Sequence, residues 1–194
     1  MLAPTVVAAS AADRDRAMAT LVTAFTADPV TRWLFPDAHR FLSCFPQFNN
    51  CFAGGAFDCN SAYRSDDFAA TALWLPPGAG PDEEALGAFI AESVDERRHE
   101  EVFAVFEQVK ASHPGAAHWY LPVIGVDPLQ QGRGYGAALL AHGLAVCDRN
   151  HIPAYLEATK PATIPFYKRF GFEVVKTIQI GSSPPITPMF RTVR

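Results

Sequence analysis

A single α/β domain, with a mixed sheet and helices on both faces, is the architecture this sequence predicts. Three observations point to it. The 194 residues are 49% hydrophobic and 19% charged, enough apolar material for one sizeable core and too much for a disordered chain. Short apolar runs bounded by turn residues alternate with stretches of helical period. From His118 to Ala158, a strand, a glycine-loaded turn, a helix and a second strand follow one another. A right-handed crossover then makes the two strands parallel neighbours.

Thr5-Val6-Val7-Ala8 reads as the first strand. Ser10 with Asp13 three residues on resembles a capping box, and a helix follows from Arg14 to Ala27. Met18, Leu21, Val22 and Phe25 mark its core face, and Asp28-Pro29 ends it. Trp33-Leu34-Phe35-Pro36 forms an aromatic knot before a second helix, about Ala38 to Phe52. Gly54-Gly55 breaks the chain. Two strands, about Ala56 to Tyr63 and Phe68 to Leu75, then make a hairpin around Arg64-Ser65-Asp66-Asp67. After the loop Pro76 to Pro81, Asp82-Glu83-Glu84 opens a helix with carboxylates where the dipole favours them. A further helical piece covers about Val94 to Ser112, and its charge run Glu96 to Glu101 reads as a solvated face. The central strand is His118 to Val126 and its parallel neighbour Ala154 to Ala158. A short helix from Thr163 to Phe170 leads into Gly171 to Ile180, and a last strand from Met189 returns antiparallel. Neither repeats nor a second domain are evident.

Charge and composition exclude several classes. A net charge of −4 without a Lys/Arg run argues against a nucleic-acid surface. No apolar stretch is long enough to span a membrane. Met1-Leu2-Ala3-Pro4 lacks the features of a signal peptide. Cys44, Cys51, Cys59 and Cys147 form no C-x-x-C pair, which fits reduced thiols and no metal site. The expected location is cytoplasmic, with the chain a monomer or homodimer.

The richest stretch is Val123 to Cys147. Gly132, Gly134 and Gly136 let an oxygen-rich ligand approach the backbone N–H groups, and the helix behind them offers its positive end to an anion. The pyrophosphate of a cofactor is the natural occupant. Gly132-x-Gly134-x-x-Ala137 fits a dinucleotide fingerprint with Glu157 downstream. Two facts weigh against it: Asp127 to Gln131 separate strand from glycines, and too little chain remains to complete such a domain. A P-loop fails because no Gly-Lys-Ser/Thr follows. Gln131-x-x-Gly134-x-Gly136 is the third reading, a six-residue loop at a helix start.

Context favours the third. Ile124-Gly125-Val126-Asp127-Pro128 before the loop, with Ala154-Tyr155-Leu156-Glu157 and Phe166-Tyr167-x-x-Phe170-Gly171-Phe172 after it, resemble the GNAT superfamily of N-acetyltransferases. Ala24-Phe25-x-x-Asp28-Pro29-x-Thr31-Arg32 and Leu73-Trp74-x-Pro76-Pro77 extend the likeness toward the branch that contains puromycin N-acetyltransferase. The resemblance implies a sheet splayed between its two parallel central strands. It implies acetyl-CoA held by residues 116–175, and an acceptor side built by residues 1–115. It also implies that Gln131, Gly132, Arg133, Gly134, Tyr135 and Gly136 surround the pyrophosphate. Backbone groups of Ile124 and Val126 would pair with the pantetheine arm, and the Val126 N–H would polarise the thioester carbonyl.

Tyr167 matches the tyrosine that faces the sulfur in this superfamily. A phenol of pKa about 10 keeps its proton at neutral pH and can assist a thiolate leaving group, which makes Tyr167 the expected general acid. Glu157, at the end of a buried strand, is the expected base, and His118 is the other candidate. Trp33 and Phe35 are implied for one wall of the acceptor cleft, and His118, Trp119 and Tyr120 for acceptor contacts. The departure from the family pattern is Lys160, where many members carry an asparagine that binds the cofactor arm. The expected reaction is direct transfer of an acetyl group to a primary amine of a small molecule, in a ternary complex. Two other classes stay open: a non-catalytic acyl-CoA-binding regulatory module, and an NAD-binding oxidoreductase.

Overall fold

The structure is a computed structural model and describes residues 4–193. The start of the chain, Met1 to Ala3, where no signal peptide was read, lies outside the described residues. Seven strands form one sheet in the order β1-β2-β3-β4-β5-β7-β6, with every pair antiparallel except β4–β5. This is the single-domain α/β fold with a mixed sheet that the sequence predicted.

β1 (Val6–Ala8) is followed by a 3-10 turn in which the Asp13 carboxylate accepts from both the N–H and the hydroxyl of Ser10. Helix α1 (Arg14–Phe25) buries Met18 and Leu21 and lies directly over β4. A Cβ added to Gly125 of that strand would come 2.7 Å from the Ala24 Cβ, so only glycine permits this approach. Trp33 and Leu34 of the aromatic knot end a helix: α2 (Pro29–Leu34) has Pro29 at its first position and Asp28 as N-cap. The Asp28 carboxylate accepts from the N–H groups of Val30 and Thr31. The Asp-Pro pair read as a stop therefore also starts the next helix. In α3 (Ala38–Ala53), Phe41, Phe45, Phe48 and Phe52 stack at helical spacing, with centroids 5.1, 6.3 and 5.3 Å apart.

The first hairpin strand is shorter than expected. Gly55–Asp58 forms a one-turn helix, α4, and β2 covers only Ala62–Ser65. It pairs with β3 (Ala70–Leu75), followed by α5 (Glu83–Ser93) and α6 (His99–Lys110). β4 (Trp119–Val126) leads through the glycine turn into α7 (Tyr135–Arg149), then β5 (Ala154–Ala158), α8 (Ile164–Arg169), β6 (Glu173–Val174) and β7 (Thr187–Arg191). The predicted strand from Gly171 to Ile180 is reduced to the two residues of β6 and a single bridge, Ile178 to Ile186. β7 enters between β5 and β6.

The two faces carry separate cores. One joins α1, α3 and α5 to Leu73, Leu75, Tyr120, Val123 and Tyr155. The other joins α7 and α8 to Trp74, Trp119, Leu121, Leu156 and Met189.

β4 changes character halfway along. Tyr120 pairs with Leu75 and Val123 with Leu73, so Leu121 and Pro122 together face Trp74, which is a β-bulge. Pairing with β5 runs from Trp119–Ala154 to Leu121–Leu156 and stops at Pro122, which has no N–H to give a ladder. Beyond it the two parallel strands part.

Candidate functional site

A cleft of about 680 Å³ opens where β4 and β5 separate. One wall is the glycine turn. Gly132 (φ +75°) and Gly134 (φ +91°) adopt the left-handed conformation that side chains disfavour, and Gly134 is the N-cap of α7. No side chain among the described residues caps this helix, so its first N–H groups stay open to a ligand beside the positive end of the dipole. Gln131 spans the turn, its Nε2 donating to the Val126 carbonyl at 3.3 Å. Tyr135 donates its hydroxyl hydrogen to Asp67 at 2.6 Å, tying the helix start to the β2–β3 turn. Lys160 and Arg169 add positive charge to the lining.

The second wall is the free side of β4. The Asp127 N–H donates to Ala69 O at 2.8 Å. Alternation back along the antiparallel ladder assigns the groups of Gly125 and Val123 to β3, so those of Ile124 and Val126 point into the cleft.

Tyr167 and Glu157 face the same cleft. Tyr167 is 9% exposed and packs against Phe166 and Phe172. Burial, and secondarily the negative charge of Asp28, raises its pKa above the ordinary 10, so the phenol holds its proton through the neutral range. Asp28 is itself buried and lines the cleft; besides capping α2, it accepts from the Thr159 hydroxyl at 2.6 Å. Sequence reasoning treated Asp28 as a helix end and did not place it beside Tyr167. The aspartate before a helical proline was the available signal.

A second cavity, about 590 Å³, lies beside α3, α5 and α6 and shares no lining residue with the cleft. His113, His118 and Tyr120 line one end of it. His113 is the link between the cavities. Its Nε2 lies 3.4 Å from Glu157 Oε1, and its ring packs on Tyr120 and Tyr155 at 4.6 and 4.4 Å. Its Nδ1 is 3.1 Å from His118 Nε2, and His118 Nδ1 is 2.8 Å from the Ala116 carbonyl. A carbonyl only accepts, so His118 Nδ1 carries a hydrogen. Burial, and then the nearby Glu157 charge, raises both the Tyr120 and Tyr155 pKa. Both hydroxyls lie close enough to Glu157 to interact with it, although among the described residues neither they nor Glu157 Oε1 close a full hydrogen bond. His113 was read from sequence only as part of a loop; nothing in its neighbours distinguishes it.

The remaining expected site residues lie apart from both cavities. Arg133 is exposed on the turn, outside the cleft lining. Trp33 donates its indole N–H to Ser182 Oγ at 3.0 Å, with Arg98 over its ring, and lines neither cavity. Phe35 is core, packed on Phe48 and Phe89. Trp119 points into the α7 face. The strand period explains the last case: Trp119 and Tyr120 are adjacent in β4 and face opposite sides. Among the described residues, no helix is long and apolar enough to cross a membrane, and no cluster of His, Cys, Asp and Glu is placed to hold a metal.

Comparison with known proteins agrees with this geometry. Residues 88–174 match the acetyltransferase (GNAT) domain family. An uncharacterized N-acetyltransferase of Schizosaccharomyces pombe is 26% identical over 95% of this chain and 80% of its own length. Mycothiol acetyltransferase of Clavibacter sepedonicus is 30% identical over 78% of this chain, but the match spans only 42% of that protein. The crystal structure of arylalkylamine N-acetyltransferase 2 from Aedes aegypti superposes with a TM-score of 0.69 at 14% identity, covering 98% of this chain and 99% of that one. With its splayed sheet and uncapped helix start, the chain carries at residues 88–174 an acetyltransferase domain of the GNAT type.

Proposed function

We propose that the protein transfers an acetyl group from acetyl-CoA directly to a primary amine of a small molecule. One observation carries the reading: the parting of β4 from β5 brings the glycine turn, the open strand edge, Tyr167 and Glu157 to a single cleft. The residues present suit the cofactor. The open N–H groups from Gly132 to Gly136, with Gln131, Tyr135 and Lys160 around them, would receive the pyrophosphate, and Arg133 would reach it from the exposed side of the turn. Ile124 and Val126 offer backbone groups to the pantetheine arm. Lys160 stands where the family's usual asparagine would contact that arm, and supplies charge to a phosphate instead.

Tyr167 is then the acid. Its raised pKa keeps a hydrogen available for the departing sulfur. Glu157 takes the amine proton, and His113 and His118 lead from it toward the second cavity. Cys147 is no acyl carrier: it is fully buried, its Sγ donates to the Gly143 carbonyl, and burial pushes its pKa up to about 12. Lining residues also support the division of labour. The cleft draws mostly on residues 121–169 and the second cavity on residues 52–120. The resemblance of an arylalkylamine acetyltransferase in fold is consistent with an amine acceptor.

Thermal shift with acetyl-CoA and with NAD, followed by an amine panel read as thiol release, tests the proposal. A ligand at a hundred times its Kd adds roughly 2.7 kcal/mol to stability, an easily measured effect. Stabilisation by acetyl-CoA with amine-dependent thiol release is expected. Stabilisation by NAD alone would point to an oxidoreductase. Tight acetyl-CoA binding without turnover on any amine would point to a regulatory module.

A further inference from the structure

We propose that the cavity beside α5 and α6 is the acceptor chamber, and that it takes a primary amine carried on an apolar, ring-bearing body. The assignment rests on the acetyltransferase reading above and goes beyond it in naming the acceptor's chemistry. Phe52, Leu86, Ile90, Phe103, Phe106 and Val109 supply apolar walls, which suit a ring or branched alkyl group. Glu83, Glu107 and Lys110 also line it; Lys110 is paired with Glu83 at 2.7 Å, which leaves the Glu107 carboxylate to favour a cationic guest.

Two independent features indicate that the space is kept for a ligand. Gly87 sits inside α5, where glycine weakens a helix, and a Cβ there would meet nothing within 4 Å. Gly125 and Gly143 are required by close packing, since a Cβ would lie 2.7 Å from Ala24 and 2.3 Å from Trp74. At Gly87 packing requires nothing; the missing side chain leaves the chamber wider. The second feature is the inner end. Tyr120 is 3% exposed, and its hydroxyl, which lies beside Glu157, and Glu157 Oε1, 3.4 Å from His113 Nε2, close no full hydrogen bond among the described residues. The phenol can donate to the carboxylate, which leaves further lone pairs on Glu157 for a donor, and an amine nitrogen brings two or three. A ring in the chamber therefore directs its amine past His113 toward Glu157, which lines the cleft, and direct transfer requires the nitrogen to enter the cleft at that point.

Filling the chamber from Gly87 is the direct test. With the full chain and acetyl-CoA, the parent is expected to acetylate 2-phenylethylamine at least tenfold more efficiently than ethylamine. Gly87→Leu should raise KM for 2-phenylethylamine about tenfold or more, leave ethylamine and acetyl-CoA within about twofold, and abolish any thermal shift produced by 2-phenylethylamine alone. Gly87→Ala, smaller and helix-favouring, should fall between the two and keeps the test readable if leucine impairs folding. Unchanged KM and unchanged amine thermal shift in both variants would overturn the chamber assignment, as would equal losses for both amines. Failure of the parent to be stabilised by acetyl-CoA would instead overturn the underlying acetyltransferase reading.

Discussion

The cleft beside α7 is made chiefly of backbone, whereas the chamber beside α5 and α6 is made of side chains. In the cleft, two glycines of positive φ, an uncapped helix start and a strand edge present N–H and C=O groups at fixed spacing. In the chamber, phenylalanines and aliphatic residues from three separate helices enclose a volume of similar size. The contrast separates two ways of recognising a ligand. Backbone groups suit a constant feature such as a phosphate bridge, and demand small residues at set places. Side-chain walls can be retuned one residue at a time without disturbing the framework.

The largest effect expected from breaking this arrangement is at Tyr167, the proposed acid. Tyr167→Phe removes one oxygen from a site where burial already keeps the phenol protonated. Steady-state kinetics should show kcat reduced by about 10²-fold or more, with KM for acetyl-CoA little altered. Unchanged kcat would remove Tyr167 from the mechanism.

Gly134→Val comes next, because a β-branched residue at φ +91° is strained by roughly 1–2 kcal/mol. Acetyl-CoA binding should weaken about tenfold in titration while the amine's KM stays put. A parallel loss for the amine would contradict the division between the two cavities.

Glu157→Gln sharpens the comparison at their boundary. An alkyl amine of pKa about 10.4 depends on proton removal more than an aromatic amine does. The variant should therefore slow an alkyl amine by about tenfold and an aryl amine far less, as read from the ratio of kcat/KM values. Equal slowing would assign Glu157 a purely structural role.

The smallest effect belongs to the tie between Tyr135 and Asp67. Some burial raises the Asp67 pKa, but hydrogen bonds from Ser65, Tyr135 and the Ala69 N–H outweigh it and hold the carboxyl below its ordinary 3.8. A depressed carboxyl contributes stability above 3.8 and loses it as pH falls through the folded value. Tyr135→Phe should lower Tm on the order of 1–2 °C at pH 7, with the difference shrinking as the pH falls below about 4. A Tm gap independent of pH would mean the hydroxyl acts through packing alone.

The same contrast governs how much the sequence reveals. Gly132, Gly134, Gly136 and the flanking strand were legible because a backbone site restricts residue type locally. Tyr167 and Glu157 were legible through the motifs that hold them. Phe52, Gly87, Phe106 and His113 were not, because each is an ordinary residue that acquires meaning only when α3, α5, α6 and β4 pack together. Tertiary context also overrode local reading in the fold. Asp28-Pro29 served as both stop and start, α4 consumed residues read as strand, and the strand expected from Gly171 to Ile180 shrank to a two-residue edge, β6, outside β7. Trp33 and Phe35, implied for the acceptor wall, are instead engaged with Ser182 and with the phenylalanine core.

The extra residue at Leu121–Pro122 shifts the alternation of β4 by one. Tyr120 and Val123 consequently share a face although three positions apart, and Ile124 and Val126 take the opposite one. The front half of a single strand thereby lines one cavity and the rear half the other. Deleting either bulge residue would turn the rear half over, so length in this short segment is constrained more tightly than identity.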